Sequence, residues 1–407
     1  MKKITELNLA EKTVFLRTEF NVPLDERFEV ADDSRLRASL PTIQYLCEKG
    51  ASVMICSHLG RPRGERNPAC SFKHVVGRLS DLLGQPVAFA DDCIGPAREQ
   101  AQAALEPGQV LLLENVRYHR EEEANDPAFA KELSAGVDVY VNDAFGNSHR
   151  AHASMVGVSG CVPEKAAGLL VEREVGAIAD FLENPQHPAV LVIGGAKVAG
   201  KSGKIHVIRN LLPVVDTVCI VGKIAYFFLQ AQGISVGATI SGDQRQIDAP
   251  DADLEHSLDD CRAMLKEAEA LGKKIILPLD SVAKLLDGDK AFTVDHDGFN
   301  PIPPDAACLD MGPRTLAEIK EVIAGAKSVA WNGPAGYFED ERFQAGSLSI
   351  ARAIEQSSAR AIAGGGDTLA ALKQVGLSSD NLHLCTGGGA MLNMLMGREL
   401  PAVAALR

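Results

Sequence analysis

Arg17, Asn21, Arg35, His58, Arg61, Arg117 and Arg150 share a pattern. Each lies in or just beyond a run that reads as a strand, or at the start of a helix. Arginine forks fit carboxylate and phosphate oxygens in bidentate geometry. Several forks converging from different strand ends would hold a small polyanion. The second half of the chain carries glycine-rich motifs instead. Residues 195–202, G-A-K-V-A-G-K-S, match the P-loop pattern letter for letter, between the strand AVLVIGG and the helix KIHVIRNLL. The apolar run IILPLD ends in Asp280, as the magnesium-binding strand of a P-loop NTPase does. G-G-G-D-T (364–368) follows ARAIA and opens the helix TLAALKQVG. Its glycines let the backbone approach phosphates closely, and a helix N-terminus favours negative charge. Asp367 is a hard oxygen ligand suited to Mg²⁺ held jointly with nucleotide phosphates, or else a helix cap.

Longer motifs surround these residues: R-T-E-F-N-V-P (17–23), S-H-L-G-R-P (57–62), L-E-N-V-R (113–117), H-R-A-H-A-S (149–154), G-G-A-K-V-A-G-K (194–201), L-D-M-G-P (309–313) and W-N-G-P-A-G-Y-F-E (331–339). In this order the set resembles phosphoglycerate kinase, from residues 13–23 to the closing E-L-P-A-V-A-A-L. The resemblance implies a reversible phosphoryl transfer between 1,3-bisphosphoglycerate and Mg-ADP, giving 3-phosphoglycerate and Mg-ATP. Transfer would be direct and in line, after the domains close, with no covalent enzyme intermediate. It implies that Arg17, Glu19, Asn21, Arg35, His58, Leu59, Gly60, Arg61, Arg117 and Arg150 bind the triose. His149 and His152 would join that patch without a firm role. Arg35, Lys197 and Gly365 would act on the moving phosphoryl group. Gly194, Gly195, Lys197, Lys201, Gly312, Asn332, Pro334, Glu339, Gly364, Gly365, Gly366, Asp367 and Thr368 would line the nucleotide site, with Glu339 on the ribose and Asp367 on Mg²⁺. Trp331 is assigned no role, and T-G-G-G-A (386–390) reads as structural or hinge-related.

Three departures from the family pattern stand out. Glu19 replaces the usual Asp and carries its carboxylate one methylene further out. S-G-K (202–204) looks like a three-residue insertion, so Lys204 competes with Lys201 for the second phosphate lysine. V-G-K-I-A (221–225) replaces a glycine-rich stretch beside the adenine, which bears on purine preference. Two rival readings follow: a P-loop NTPase using 195–202, and a paralogue that binds anions or nucleotides without catalysis. The P-loop reading leaves R-T-E-F-N-V-P, S-H-L-G-R-P and W-N-G-P-A-G-Y-F-E unexplained.

The elements that must position these groups read as strands at 13–20, 51–58, 109–116, 137–143, 189–195, 217–222, 273–280, 328–333 and 359–366. Most are rich in Val, Ile and Leu without strict alternation, as strands covered on both faces are. Helices are expected between them, at 35–49, 127–135, 256–271 and 347–356. The alternation predicts an α/β fold of two doubly wound, Rossmann-like parallel-sheet domains. A long helix near 165–183 would join them. The expected division is a triose-binding domain at 1–170, a nucleotide-binding domain at 171–385, and a segment at 386–407 returning to the first. The chain has 407 residues and a formal net charge of −13, which argues against a general nucleic-acid binder. Nine cysteines without C-x-x-C spacing point to free thiols rather than disulfides or zinc. No secretory leader or membrane-length apolar run is read, so a cytoplasmic monomer with small-molecule partners is expected.

Overall fold

A computed structural model describes residues 1–196, 203–240, 254–376 and 381–407. The β-branched and leucine-rich runs form two six-stranded parallel sheets, each within its own compact unit. One unit comprises Met1–Gly176 and Glu399–Arg407, the other Ala177–Arg398. The first sheet contains β1 (Thr13–Arg17), β2 (Ser52–Cys56), β3 (Val87–Ala90), β4 (Val110–Leu113), β5 (Val139–Asn142) and β6 (Glu164–Ala167), in the order β3-β4-β2-β1-β5-β6. β2, β4 and β5 are buried along their whole length, which is why they read as continuous apolar runs. The central order β4-β2-β1-β5 matters for chemistry. It gathers the carboxyl ends of the four strands that lead into Arg17, His58, Arg117 and Arg150 at one edge, where open α/β sheets bind ligands.

The second unit contains β7 (Ala189–Ile193), β8 (Thr217–Ile220), β9 (Lys274–Ile276), β10 (Asp280–Leu285), β11 (Ala291–Asp295), β12 (Ala306–Met311), β13 (Ser328–Asn332), β14 (Arg360–Gly364) and β15 (Leu382–Cys385). Its parallel sheet runs β15-β14-β13-β7-β8-β9, while β11-β10-β12 form a separate antiparallel sheet. The core of this unit includes Val190, Val192, Val329, Trp331, Ile319 and Ile350. The doubly wound class expected from sequence is the class observed. The antiparallel sheet was not anticipated. The helix expected from 165 begins only at Leu169 and ends at Glu183, because Glu164–Ala167 pair with β5 as β6.

The run at 273–280 is not one strand. β9 stops at Ile276, and Asp280 opens β10 in the other sheet. Asp280 is buried. Its Oδ1 accepts from Thr315 N at 2.8 Å and Thr315 Oγ1 at 2.7 Å, and its Oδ2 accepts from Arg314 N at 3.0 Å. The carboxylate therefore caps the helix Pro313–Gly325, satisfying N–H groups that have no partner within the helix. The second support for a P-loop NTPase is thereby removed. Asp280→Ala is expected to cost about 2 kcal/mol in urea unfolding while moving the KM for nucleotide by less than about twofold. A large KM effect at unchanged stability would return Asp280 to the nucleotide site.

Candidate active site

The basic half-site starts where β1 ends. Arg17 is fully buried. Its Nη1 donates to the Thr18 carbonyl, and its Nη2 faces His58 Nδ1 at 3.4 Å. Ser57 Oγ locks the ends of β1 and β2 together, accepting from Phe20 N and donating to Thr18 O, both at 2.8 Å. Asn21 Oδ1 accepts from Gly60 N at 2.8 Å, and the Asn21 carbonyl accepts from Arg35 Nη1 at 2.6 Å. Gly60 has φ +65°, and a Cβ there would lie 2.7 Å from Cys70 Sγ, so both backbone and space demand glycine. Leu59 is buried, and its carbonyl accepts from Asn115 Nδ2 at 2.7 Å.

Arg117 sits in the turn Val116–Tyr118 after β4 and donates to Gly60 O at 3.3 Å. Burial and the Arg17 charge push its guanidinium down to about 10. Arg150 Nε approaches His149 Nε2 at 3.3 Å. His58 is pushed well below the usual histidine range, by burial first and then by Arg17, Arg117, Arg150 and Arg35. It is thus a neutral imidazole. Glu19 Oε1 lies 3.4 Å from Arg35 Nη1. Burial raises its carboxyl, against the opposing pull of Arg35, Arg17, Arg117 and Arg150. The longer side chain fits because Gly146 makes room: a Cβ on Gly146 would fall 2.0 Å from Glu19 Oε2. Six of the sequence-derived groups therefore act electrostatically on one another. Arg61 stands apart as an exposed side chain.

The second half-site lies at the carboxyl ends of β7, β8, β13 and β14, around a cavity of about 510 Å³. Its floor is made of interlocked main chain. Gly194 N donates to Asn332 O at 2.9 Å, Gly195 N to Pro334 O at 3.1 Å and Gly222 N to Ala335 O at 3.0 Å. A Cβ on Gly194 would lie 2.3 Å from Pro334 O, and one on Gly333 2.2 Å from Gly194 O. Asn332 Nδ2 donates to Gly364 O at 2.7 Å, and Thr368 Oγ1 accepts from Gly333 N at 2.8 Å. These bonds bring W-N-G-P-A-G-Y-F-E and G-G-G-D-T together. Gly365 has φ +112° and precedes the helix Gly366–Val375. Gly388, from T-G-G-G-A, packs on the Gly365 backbone. Trp331 Nε1 donates to Gly333 O at 2.9 Å from a fully buried ring, a packing role.

Pro334, Glu339 and Asp367 line the cavity. Asp367 is exposed in the first turn of its helix, and its carboxyl is raised by partial burial and by the Glu339 charge. Gly312 does not line the cavity. It packs on the Asp280 carboxylate and donates its N–H to Asp280 O at 2.9 Å, while Cys308 and Leu309 supply that part of the wall. Lys197 and Lys201 lie outside the described residues, as does most of the P-loop match. Lys204 opens the helix Lys204–Leu211 and donates from Nζ to Asn332 Oδ1. Burial pushes its ammonium down to about 8. Sequence reasoning held Lys204 as second choice. Tyr226, Lys223 and Cys308 also line the cavity and were not singled out as contacts.

A family model described as phosphoglycerate kinase matches residues 4–398. The phosphoglycerate kinase of Koribacter versatilis (strain Ellin345) is 45% identical over 410 residues, covering 99% of this chain and 98% of the relative. That of Synechococcus sp. (strain JA-3-3Ab) is 46% identical over 413 residues, covering 98% of this chain and 96% of the relative. Among solved structures, phosphoglycerate kinase from Coxiella burnetii aligns with a TM-score of 0.85 at 37% identity, covering 99% of this chain and 98% of the other. The enzyme from Pyrococcus horikoshii OT3 aligns with a TM-score of 0.85 at 31% identity, covering 100% and 98%.

Proposed function

The chain belongs to the phosphoglycerate kinase family, and we propose how its own residues carry out the family's reaction. It is an enzyme that transfers a phosphoryl group reversibly between 1,3-bisphosphoglycerate and ADP, giving 3-phosphoglycerate and ATP. The rival readings, a P-loop NTPase and a non-catalytic paralogue, are not favoured.

One observation carries the residue assignment: Arg17, Arg35, Arg117 and Arg150 all bear on both His58 and Glu19. Four guanidinium charges around a neutral imidazole suit a small polyanion that carries a phosphate and a carboxylate. Glu19 and Asn21 add hydrogen-bond partners for the substrate hydroxyl. Leu59, Gly60 and Arg61 complete the triose-binding loop. In the other unit, Gly194, Gly195, Asn332, Pro334, Glu339, Gly364, Gly365, Gly366 and Thr368 hold the nucleotide, with the ribose toward Glu339. We assign the second phosphate lysine to Lys204, supported by its half-buried position against Asn332. Lys197 keeps its family role on sequence grounds.

Asp367 and Glu339 repel one another, and a hard cation beside them relieves that repulsion, so the donor set fits Mg²⁺. Bound there with the nucleotide, Mg²⁺ supplies charge neutralisation for the phosphates. The protein's part is positioning. Arg35 and the Gly365 backbone meet the equatorial oxygens of the moving group, and neutral His58 offers one N–H donor and one acceptor without adding charge. Direct transfer requires both ligands to meet, which we ascribe to domain closure that also excludes water from the acyl phosphate.

The test is ATP turnover coupled to reduction of the acyl phosphate product. Strict dependence on 3-phosphoglycerate, nucleotide and Mg²⁺ is expected, whereas ATP hydrolysis without 3-phosphoglycerate would reject the residue assignment. We place the enzyme in the cytoplasm as a monomer, the second point being open to light scattering against a mass of 43.3 kDa. No helix among the described residues is long and apolar enough to cross a membrane.

A further inference from the structure

The acidic run R-E-E-E-A forms the short helix Arg120–Ala124, and its middle carboxylate turns inward: Glu122 is fully buried. Glu122 Oε1 accepts from Ser154 Oγ at 2.7 Å, and Oε2 accepts from Ser154 N at 2.8 Å. The same Ser154 Oγ accepts from Arg17 Nε at 2.8 Å. His152 Nδ1 lies 3.6 Å from Glu122 Oε1. A carboxylate can only accept, and a hydroxyl has one proton to give. The serine proton is therefore committed to Glu122, and the serine lone pairs face Arg17. The donor order Arg17, Ser154, Glu122 cannot reverse. Burial alone would raise the Glu122 carboxyl, but His152, Arg17 and the two Ser154 bonds hold it below the ordinary range.

We propose that Glu122, acting through Ser154, is a positioning residue that sets the guanidinium plane of Arg17 for the triose substrate. This rests on the assignment of Arg17 to the triose site. Arg17 has five N–H groups. Nε is pinned by Ser154, one Nη1 proton goes to Thr18 O, and Nη2 faces His58. The remaining N–H groups are held in a fixed direction for an anion. Glu122 is also a fully buried counter-charge to the Arg17 guanidinium, in addition to Glu19, and a buried guanidinium without counter-charge is costly. Because it lies one hydroxyl away rather than in contact, it neutralises Arg17 without occupying the face offered to substrate.

The experiment is a kinetic cycle on the full chain with Ser154→Ala, Arg17→Ala and the double variant, together with Glu122→Gln. Thermal melting monitors folding throughout. Ser154→Ala removes only a hydroxyl and should raise the KM for 3-phosphoglycerate about tenfold while moving the KM for ATP less than about twofold. Glu122→Gln should shift the same parameter in the same direction. In the Arg17→Ala background, Ser154→Ala should add nothing further, since the serine acts only through the arginine. A Ser154→Ala effect that falls equally on both substrates, that appears only as a lowered melting temperature, or that repeats in full without Arg17 would overturn the proposal. If Arg17→Ala itself leaves the KM for 3-phosphoglycerate unchanged, the triose-site assignment fails first, and the cycle distinguishes that case from failure of the relay.

Discussion

Arg35→Ala is expected to lower kcat by about 10²–10³-fold, the loss typical of removing one preorganised donor to a developing charge. Arg35 stands in the first turn of the helix Ser34–Glu48. Its guanidinium is held from one side by the Asn21 carbonyl at 2.6 Å and by Glu19 at 3.4 Å, while its side chain keeps 38% of its surface open. Those contacts orient the fork without consuming it. Alanine is a strong helix former, so the helix should persist and unfolding should be little changed. The KM for 3-phosphoglycerate should rise by less than kcat falls, because other arginines still hold the ground-state anion. Arg35→Lys should recover little, since a point charge cannot replace a bidentate fork. Steady-state kinetics in the ATP-forming and ATP-consuming directions check this. A kcat within tenfold of wild type would remove Arg35 from the moving phosphoryl group.

Lys204 gives the second large effect, and its sign depends on pH. Burial lowers its ammonium to about 8 from the ordinary value of 10.5. Its charge is therefore half lost at about pH 8 in the free protein, and the loss spreads over about a unit on either side. The KM for ATP should rise as pH passes 8, by up to about tenfold per unit, whereas Lys204→Arg should show no such rise over the same range. Lys204→Met should raise the KM for ATP by about 30-fold or more at neutral pH, the worth of a partly buried charge-assisted contact. The stability sign is opposite. Between about pH 8 and 10.5 the unfolded chain binds the proton more readily than the folded one, so this group's contribution to stability grows as pH rises through that window. At neutral pH the buried charge is a liability without a ligand. Lys204→Met is thus expected to be more stable than wild type by about 1–2 kcal/mol and a far poorer enzyme. Urea titrations and nucleotide kinetics at pH 7 and 9 check both halves.

The parallel sheets were legible because strands buried on both faces leave unbroken apolar runs. The basic patch was legible because its members sit at the ends of those runs. Other features were hidden for identifiable reasons. Asp280 looks like a ligand contact at the end of a motif, but it caps a helix, and the glycine at 312 leaves the space its carboxylate needs. No local pattern separates a glycine that admits a substrate from one that admits a neighbouring side chain. The motif alone does not separate Lys201 from Lys204, because that depends on how the insertion is absorbed before the helix that starts at Lys204. Glu122 was not singled out in the sequence, because a five-residue helix is too short to display a periodic buried face.

The floor of the cavity in the second unit rests on Gly194, Gly195, Gly222, Gly333 and Pro334 meeting through peptide groups. Side chains contribute little to it, so the foundation and the decoration of this pocket are encoded at separate positions. A library that randomises Lys223 and Cys308 while holding Gly194, Gly222 and Gly333 constant would vary what the base meets without moving the phosphate seat. In this chain Lys223 already departs from the glycine-rich pattern that the resemblance carries, and the same partition makes it a starting point for engineering kinases that accept altered nucleobases.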